Sequence, residues 1–151
     1  MPSQFDALLS SFAQSKGLQL EQAAVGVEFS TERHSLTVTA HPVVEDLLVV
    51  EVAIADPRVR AAEMSQAALL MLLQINDAAR LEHDWTISVG AEGVVRLGCL
   101  RRIAETDLST LEALMGEGLE RAEALADLVL SLAPANGGSP SAPPGGAFLR
   151  A

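Results

Sequence analysis

The sequence is poor in aromatic residues, and this limits what it can bind. Its 151 residues include four Phe, one Trp and no Tyr. The core therefore has to be built mainly from Leu, Val, Ile and Ala, and few rings are available to stack on bases or sugars. With 49% hydrophobic residues, the chain is large enough to form one compact domain with a real core.

Cysteine, basic charge and long apolar runs are also scarce. Cys99 is the single cysteine; it excludes an intrachain disulfide, and its apolar neighbours in VVRLGCL indicate a buried, inert thiol in a reducing compartment. Twenty acidic residues against ten basic ones give a net charge of −10, which opposes binding to nucleic acid or to anionic membranes. The first residues lack the pattern of a signal peptide, and no run reaches the roughly 18 apolar residues of a membrane span. We therefore expect a soluble, cytoplasmic protein.

Residues suited to catalysis or metal binding are scattered along the chain. The candidates are three histidines at strand ends or in a polar link, two acidic pairs beside turns, and one lysine at a helix end: His34, His41, His83, Glu45 with Asp46, Glu82 with Asp84, and Lys16. No spacing suggests the converging ligands of a metal site, and we expect each histidine to lie at the surface or in a turn. The sequence therefore predicts a protein that is not an enzyme and holds no metal or other cofactor.

The most apolar stretch runs from Ala61 to Leu81 and predicts a helix. At about 100° per residue its apolar side chains form two adjacent stripes, one of Met64, Ala68, Met71, Ile75 and Ala78, the other of Ala62, Leu69, Leu72 and Leu73. One stripe can lie on the protein's own sheet, and a second copy of the helix across a two-fold axis is the simplest cover for the other. This predicts a homodimer. The alternative is a helix buried entirely within one subunit.

The periods of the remaining apolar residues predict an α/β (α+β) fold with a twisted antiparallel sheet and flanking helices. The predicted elements are a helix at 3–16, a strand ending near 30, strands at 35–42 and 47–55, the central helix at 61–81, a hairpin at 85–90 and 94–100, and a helix from Thr106 or Asp107 to Leu132. Gly116 and Gly118 should weaken the last helix by about 1 kcal/mol each if they are exposed. Residues 1–133 then form the domain, and residues 134–151, rich in Pro, Gly and Ser, are expected to be a disordered tail.

The third strand, LLVVEVAIA, is apolar on both faces. Leu48, Val50, Val52 and Ile54 share one face, which leaves Leu47 and Val49 on the other. The first helix adds an apolar face that includes two phenylalanines. Such patches could hold a partner chain, with strand addition at a free sheet edge supplying backbone hydrogen bonds. The candidate partner contacts are Phe5, Leu9, Phe12, Val27, Leu47 and Val49, although the residues of the first helix could equally be core.

In this order of elements, the chain resembles the class I type III secretion chaperones, the family that includes the Tir chaperone. The resemblance rests on LLSSFAQSKGL in the first helix, LLQIN near the end of the second, the hairpin WTISVGAEGVVRLGCL and the following DLSTLEALM. It extends over residues 3–132. It implies a homodimer that binds an extended N-terminal segment of a secreted effector and keeps the effector soluble and competent for secretion. The implied dimer contacts are Leu69, Leu72, Leu73, Asn76 and Trp85.

Two other functions fit the same sequence. A regulator of similar fold would bind another cytoplasmic protein instead of escorting an effector. A small hot-dog thioesterase would also form a dimer around a central helix, and its polar catalytic group would have to be Asn76 or Asp77 on that helix. Asn76 has a simpler interpretation as a hydrogen-bonding group at a helix end or interface.

Overall fold

The computed structural model describes residues 3–19, 26–82 and 84–132. They form helices α1 (Gln4–Lys16), α2 (Gln66–Glu82) and α3 (Leu108–Ser131), and strands β1 (Gly26–Ser30), β2 (His34–Ala40), β3 (Leu47–Ile54), β4 (Trp85–Val89) and β5 (Val95–Arg102). The predicted order of elements is confirmed. The predicted tail at 134–151 and His83 lie outside the described residues. No helix within the described ranges has the length and apolar character that crossing a membrane requires.

Local sequence signals set both ends of α1. The Ser3 hydroxyl accepts a hydrogen bond from the backbone N–H of Asp6, and the Asp6 carboxylate accepts one from the backbone N–H of Ser3, which together form a capping box. At the other end, Gly17 has a φ of 66°, a left-handed conformation that favours glycine and stops the helix. The predicted first helix is therefore confirmed at both ends.

The central helix begins later than the sequence pattern predicts. Residues Ala61–Glu63 form a short 3-10 turn, and α2 starts only at Gln66. The Ser65 hydroxyl accepts a hydrogen bond from the N–H of Ala68 at 3.2 Å, as an N-cap does. The N–H of Ala61 donates to the carbonyl of Gly93 at 2.8 Å. The predicted start at Ala61 was wrong because this segment is tied to the β4–β5 turn instead of continuing the helix.

The five strands form one antiparallel sheet in the order β1-β2-β3-β5-β4. We call its two sides the inner and the outer face. The inner face carries the buried residues Leu36, Val38, Leu48, Val50, Val52, Ile54, Trp85, Val95, Leu97 and Cys99. The predicted face of the third strand is confirmed, since residues of β3 alternate between buried and half-buried along its length.

Helices cover the inner face. Helix α3 packs on β2, β3 and β5, and α1 packs against α3. Phe12 of α1 meets Phe29 of β1 edge to face, with ring centroids 5.7 Å apart. Gly118 of α3 is buried, and a Cβ placed there would lie 2.7 Å from Trp85 Cη2. The last helix is therefore able to approach the sheet only because this residue has no side chain.

Helix α2 lies beside the edge strand β4. It is not wrapped by the sheet, as the central helix of a hot-dog fold would be. Ala68 and Leu72 face into the subunit and are buried, whereas Leu69, Leu70, Leu73 and Leu81 are exposed. The prediction that α2 has more apolar surface than its own subunit covers is confirmed.

Candidate partner-binding surface

The outer face of the sheet carries a small apolar patch, which we call the outer patch: Leu47, Val49 and Leu100. Val49 of β3 lies directly opposite Leu100 of β5, and Leu47 lies opposite Arg102 in the same ladder. Leu100 is 49% exposed, and Leu47 and Val49 are half-buried. In the described part of the chain, the helices pack on the inner face or beside β4, so the outer patch has no layer above it.

A shallow groove of about 440 Å³ runs past the outer patch toward β4. Its floor is at Gly98, beside which Val49, Glu51, Thr86, Ser88 and Leu100 project. Glu51 and Arg96 form an ion pair at 3.0 Å next to it, and Asp84 and Arg101 form another at 3.2 Å. A groove that combines the apolar side chains of Val49 and Leu100 with charged and hydroxyl groups suits an extended peptide, which can meet it with both side chains and backbone.

The two edge strands of the sheet differ in whether a side chain hydrogen-bonds to their backbone. At β4, the side-chain Oδ1 of Asn76 on α2 accepts a hydrogen bond from the backbone N–H of Ile87 at 2.6 Å. At β1, no described side chain or loop hydrogen-bonds to the strand backbone beyond its ladder with β2. Within the described residues, β1 is therefore the edge strand whose backbone no side chain caps.

The predicted partner contacts separate into two groups. Leu47 and Val49 belong to the outer patch, as expected from the alternation of β3. Phe5, Leu9, Phe12 and Val27 are between 2% and 8% exposed and belong to the core. Leu9 and Phe12 do not border the outer patch, because α1 packs on the opposite side of the sheet, against α3 and Phe29.

The predicted dimer contacts also fall into an exposed group and a group with contacts inside the subunit. Leu69 and Leu73 are exposed on α2, by 36% and 66%. Leu72 and Trp85 are buried within the subunit, and Asn76 is occupied by its hydrogen bond to Ile87. The structure therefore leaves Leu69 and Leu73 available to a second copy and gives the other three an internal role.

Sequence reasoning missed two features near these surfaces. Leu100 was not singled out, although alternation with the inward residues Leu97 and Cys99 places it on the outer face. His34 was predicted to lie at the surface or in a turn. It closes the turn before β2 through its carbonyl, which accepts a hydrogen bond from the Thr31 N–H, but its side chain is buried, with 5% exposed, and its Nε2 lies 2.7 Å from Glu123 Oε2 on α3. Arg33 pairs with the same carboxylate. No local pattern could have shown this contact, since the partners are 89 residues apart in the chain.

Cys99 is predicted to be nearly unreactive while the protein is folded. Burial raises the pKa of its thiol from 9.0 to about 11, and only the thiolate reacts. At pH 8 the folded protein should therefore react with a thiol-specific disulfide reagent about 100 times more slowly than the urea-unfolded chain, and the rate should rise with pH up to about 11. A stopped-flow absorbance assay measures both rates. Equal rates would mean that the thiol is exposed in the folded state.

Within the described residues, no group of three or more His, Cys, Asp or Glu side chains is placed to hold a metal ion. The surfaces described above offer apolar contact on the outer patch, ionic contact at its rim and backbone pairing at β1.

Solved structures share this fold. No protein-family model matches the chain, and no curated protein sequence does either. A chain of the ExsC–ExsE complex is 19% identical with a TM-score of 0.67, and the match covers 82% of this chain and 91% of the other. A chain of the HopA1–SchA chaperone–effector complex is 14% identical with a TM-score of 0.65, covering 82% and 94%.

A third match comes from a complex that contains a named type III secretion chaperone. A chain from the complex of the Yersinia pestis type III secretion chaperone SycH with a stable fragment of YscM2 is 18% identical, with a TM-score of 0.58, covering 79% of this chain and 97% of the other. The chain therefore has the fold found in type III secretion chaperone complexes, and the fold predicted from the resemblance is confirmed.

Proposed function

We propose that this protein is a type III secretion chaperone, a homodimer that binds the extended N-terminal segment of a secreted effector and keeps it soluble and competent for secretion. The observation that carries the proposal is the outer patch, an apolar surface on a sheet of this fold with no covering layer in the described part of the chain. It is a binding function and requires no catalytic group.

The binding mode follows from the surface. An extended client segment would place alternate side chains on Leu47, Val49 and Leu100, and each well-buried aliphatic contributes about 1.5 to 3 kcal/mol before the cost of ordering the segment is subtracted. Several such contacts are needed for useful affinity. Backbone pairing at the open β1 edge would add directional hydrogen bonds that do not depend on the client's sequence.

The charge of the protein fits the same role. A net charge of −10 keeps a dimer with exposed apolar surface in solution and repels other copies. It also favours client segments that carry basic residues around their apolar positions.

Purification of the chaperone from its native cytoplasm tests the proposal. We expect a stoichiometric effector that mass spectrometry identifies and whose binding segment becomes protease-sensitive once the chaperone is removed. A stoichiometric partner that is never secreted would support a regulator instead, and a bound acyl thioester would contradict a binding protein of either kind.

Val49→Glu is expected to weaken binding of that effector by about tenfold or more, measured by isothermal titration. A carboxylate at this half-exposed position costs the free protein little, but in the complex it would be buried without a partner. Val89→Glu is the matched control, because Val89 is 51% exposed and shares the inner face of the sheet with Trp85, on the side opposite the outer patch. A folded Val49→Glu variant that binds normally would place the client elsewhere. A variant that fails to fold would contradict the assignment of Val49 to the surface.

A further inference from the structure

The β4 edge of the sheet is closed by a single side chain. Ile87 is the middle residue of β4, and its backbone N–H donates to Asn76 Oδ1 on α2 at 2.6 Å. Because backbone groups of a strand alternate in direction, the N–H and C=O groups of Trp85 and Val89 point the same way as those of Ile87. Asn76 therefore occupies the centre of the row of groups that an added strand would need.

The chain geometry explains why Asn76 and Ile87 meet. Helix α2 ends at Glu82 and β4 begins at Trp85, so the helix has to fold back along the strand after a very short link. Ile87 lies about 10 Å along the strand from Asp84 at roughly 3.3 Å per residue, and Asn76 lies about 9 Å back along the helix from its last residue, Glu82, at 1.5 Å per residue. The two residues are therefore level, and a short side chain with an acceptor oxygen is enough to span the gap.

We infer that Asn76 is an edge cap, which closes β4 to strand pairing with another chain, and with a second copy of this protein first of all. Leu69 and Leu73 lie seven and three residues before Asn76, on nearly the same side of α2. A copy that docks on these leucines would bring its own β4 close to this edge. Without the cap, pairing could continue from copy to copy, since a bare sheet edge is a template for further strands.

The inference does not depend on what the client is. It predicts an asymmetry of the free protein: β4 is closed by Asn76, while β1 has no equivalent bond among the described residues. Loss of the cap should therefore change how copies associate, even with no client present.

Amide hydrogen exchange on the full-length protein tests the cap directly. In Asn76→Ala we expect the Ile87 amide to exchange about ten times faster or more than in the wild type, while the amides of β5 change little. Asn76→Asp keeps an acceptor oxygen in place and should retain the protection. Gln74→Ala is the control, because Gln74 is an exposed polar residue of the same helix and lies about 200° around it from Asn76, on the side away from β4. Unchanged exchange at Ile87, or an equal loss of protection across β5, would overturn the inference.

Sedimentation velocity tests the consequence for association. In Asn76→Ala, association beyond the wild-type species should begin at a protein concentration at least about ten times lower than the wild type needs for it. Asn76→Asp should behave as the wild type. Adding Val89→Lys to Asn76→Ala places a charge on the uncovered strand and should remove the larger species. Their absence from Asn76→Ala, or their persistence in the double variant, would overturn the inference.

Discussion

Replacing Leu69 and Leu73 together by Asp is expected to convert the proposed dimer into folded monomers, with the dissociation constant raised by more than about 100-fold. Each leucine buried across the interface contributes about 1.5 to 3 kcal/mol, and each introduced carboxylate would add the cost of burying an unpaired charge. Two such losses exceed the roughly 2.7 kcal/mol that a 100-fold change requires.

The structure predicts that the variant stays folded. Leu69 and Leu73 are 36% and 66% exposed in the subunit, so aspartates at these positions remain in water once the copies separate. Sedimentation equilibrium at micromolar concentration measures the association, and circular dichroism measures the fold.

A matched variant controls for charge. Ala67→Asp combined with Gln74→Asp adds the same two charges to exposed positions of α2 that lie at least about 100° around the helix from Leu69 and Leu73, and it should remain dimeric. A double leucine variant that stays dimeric would remove α2 from the interface. A wild-type protein that is monomeric at micromolar concentration would contradict the dimer itself.

Two glycines of α3 are expected to respond to alanine in opposite directions. A Cβ at Gly118 would lie 2.7 Å from Trp85 Cη2 and 3.0 Å from Val52 Cγ2, whereas nothing lies within 4 Å of a Cβ at Gly116. Gly116→Ala should stabilise the protein by about 0.5 to 1 kcal/mol, because Ala is the better helix former. Gly118→Ala should destabilise it by about 1 to 3 kcal/mol, because the indole ring beneath is rigid and fully packed.

Urea unfolding at one fixed protein concentration measures both effects, since the stability of a dimer depends on concentration. Gly118→Val extends the series and should lower the unfolding midpoint further than Gly118→Ala does. If both alanine variants were stabilised, the predicted weakening by two exposed glycines would be right and the close approach of α3 to Trp85 would be wrong.

Much of the fold follows from properties that are local in the chain. The alternation of β3 assigns Val50 and Val52 to the core and Val49 to the outer face whatever lies above or below, because successive side chains of a strand point to opposite sides. The capping box at Ser3 and the left-handed Gly17 act within one turn of helix, so the ends of α1 could be read directly. The β4–β5 hairpin was also predictable, because its strands are joined by a short turn.

The candidate surfaces were predictable only where a strand carries them. An apolar face on a helix shows that something covers it, but not whether the cover is the same chain or a partner. Phe12 was an open case for this reason, and the structure assigns it to the core against Phe29. For the two apolar stripes on α2, the sequence could not decide which residues the subunit itself covers, and the structure buries Ala68 and Leu72 while it leaves Leu69 and Leu73 exposed.

The sequence by itself determined the order of the elements, the faces of the strands and the excess apolar surface of α2, because each depends on residue type and spacing. Only the tertiary structure decided that α2 begins at Gln66 and that His34 is buried against Glu123. The same is true of the close packing of Gly118 on the Trp85 ring and of the hydrogen bond between Asn76 and Ile87. Each of these depends on two segments that folding brings within a few ångströms, and no periodicity records such a distance.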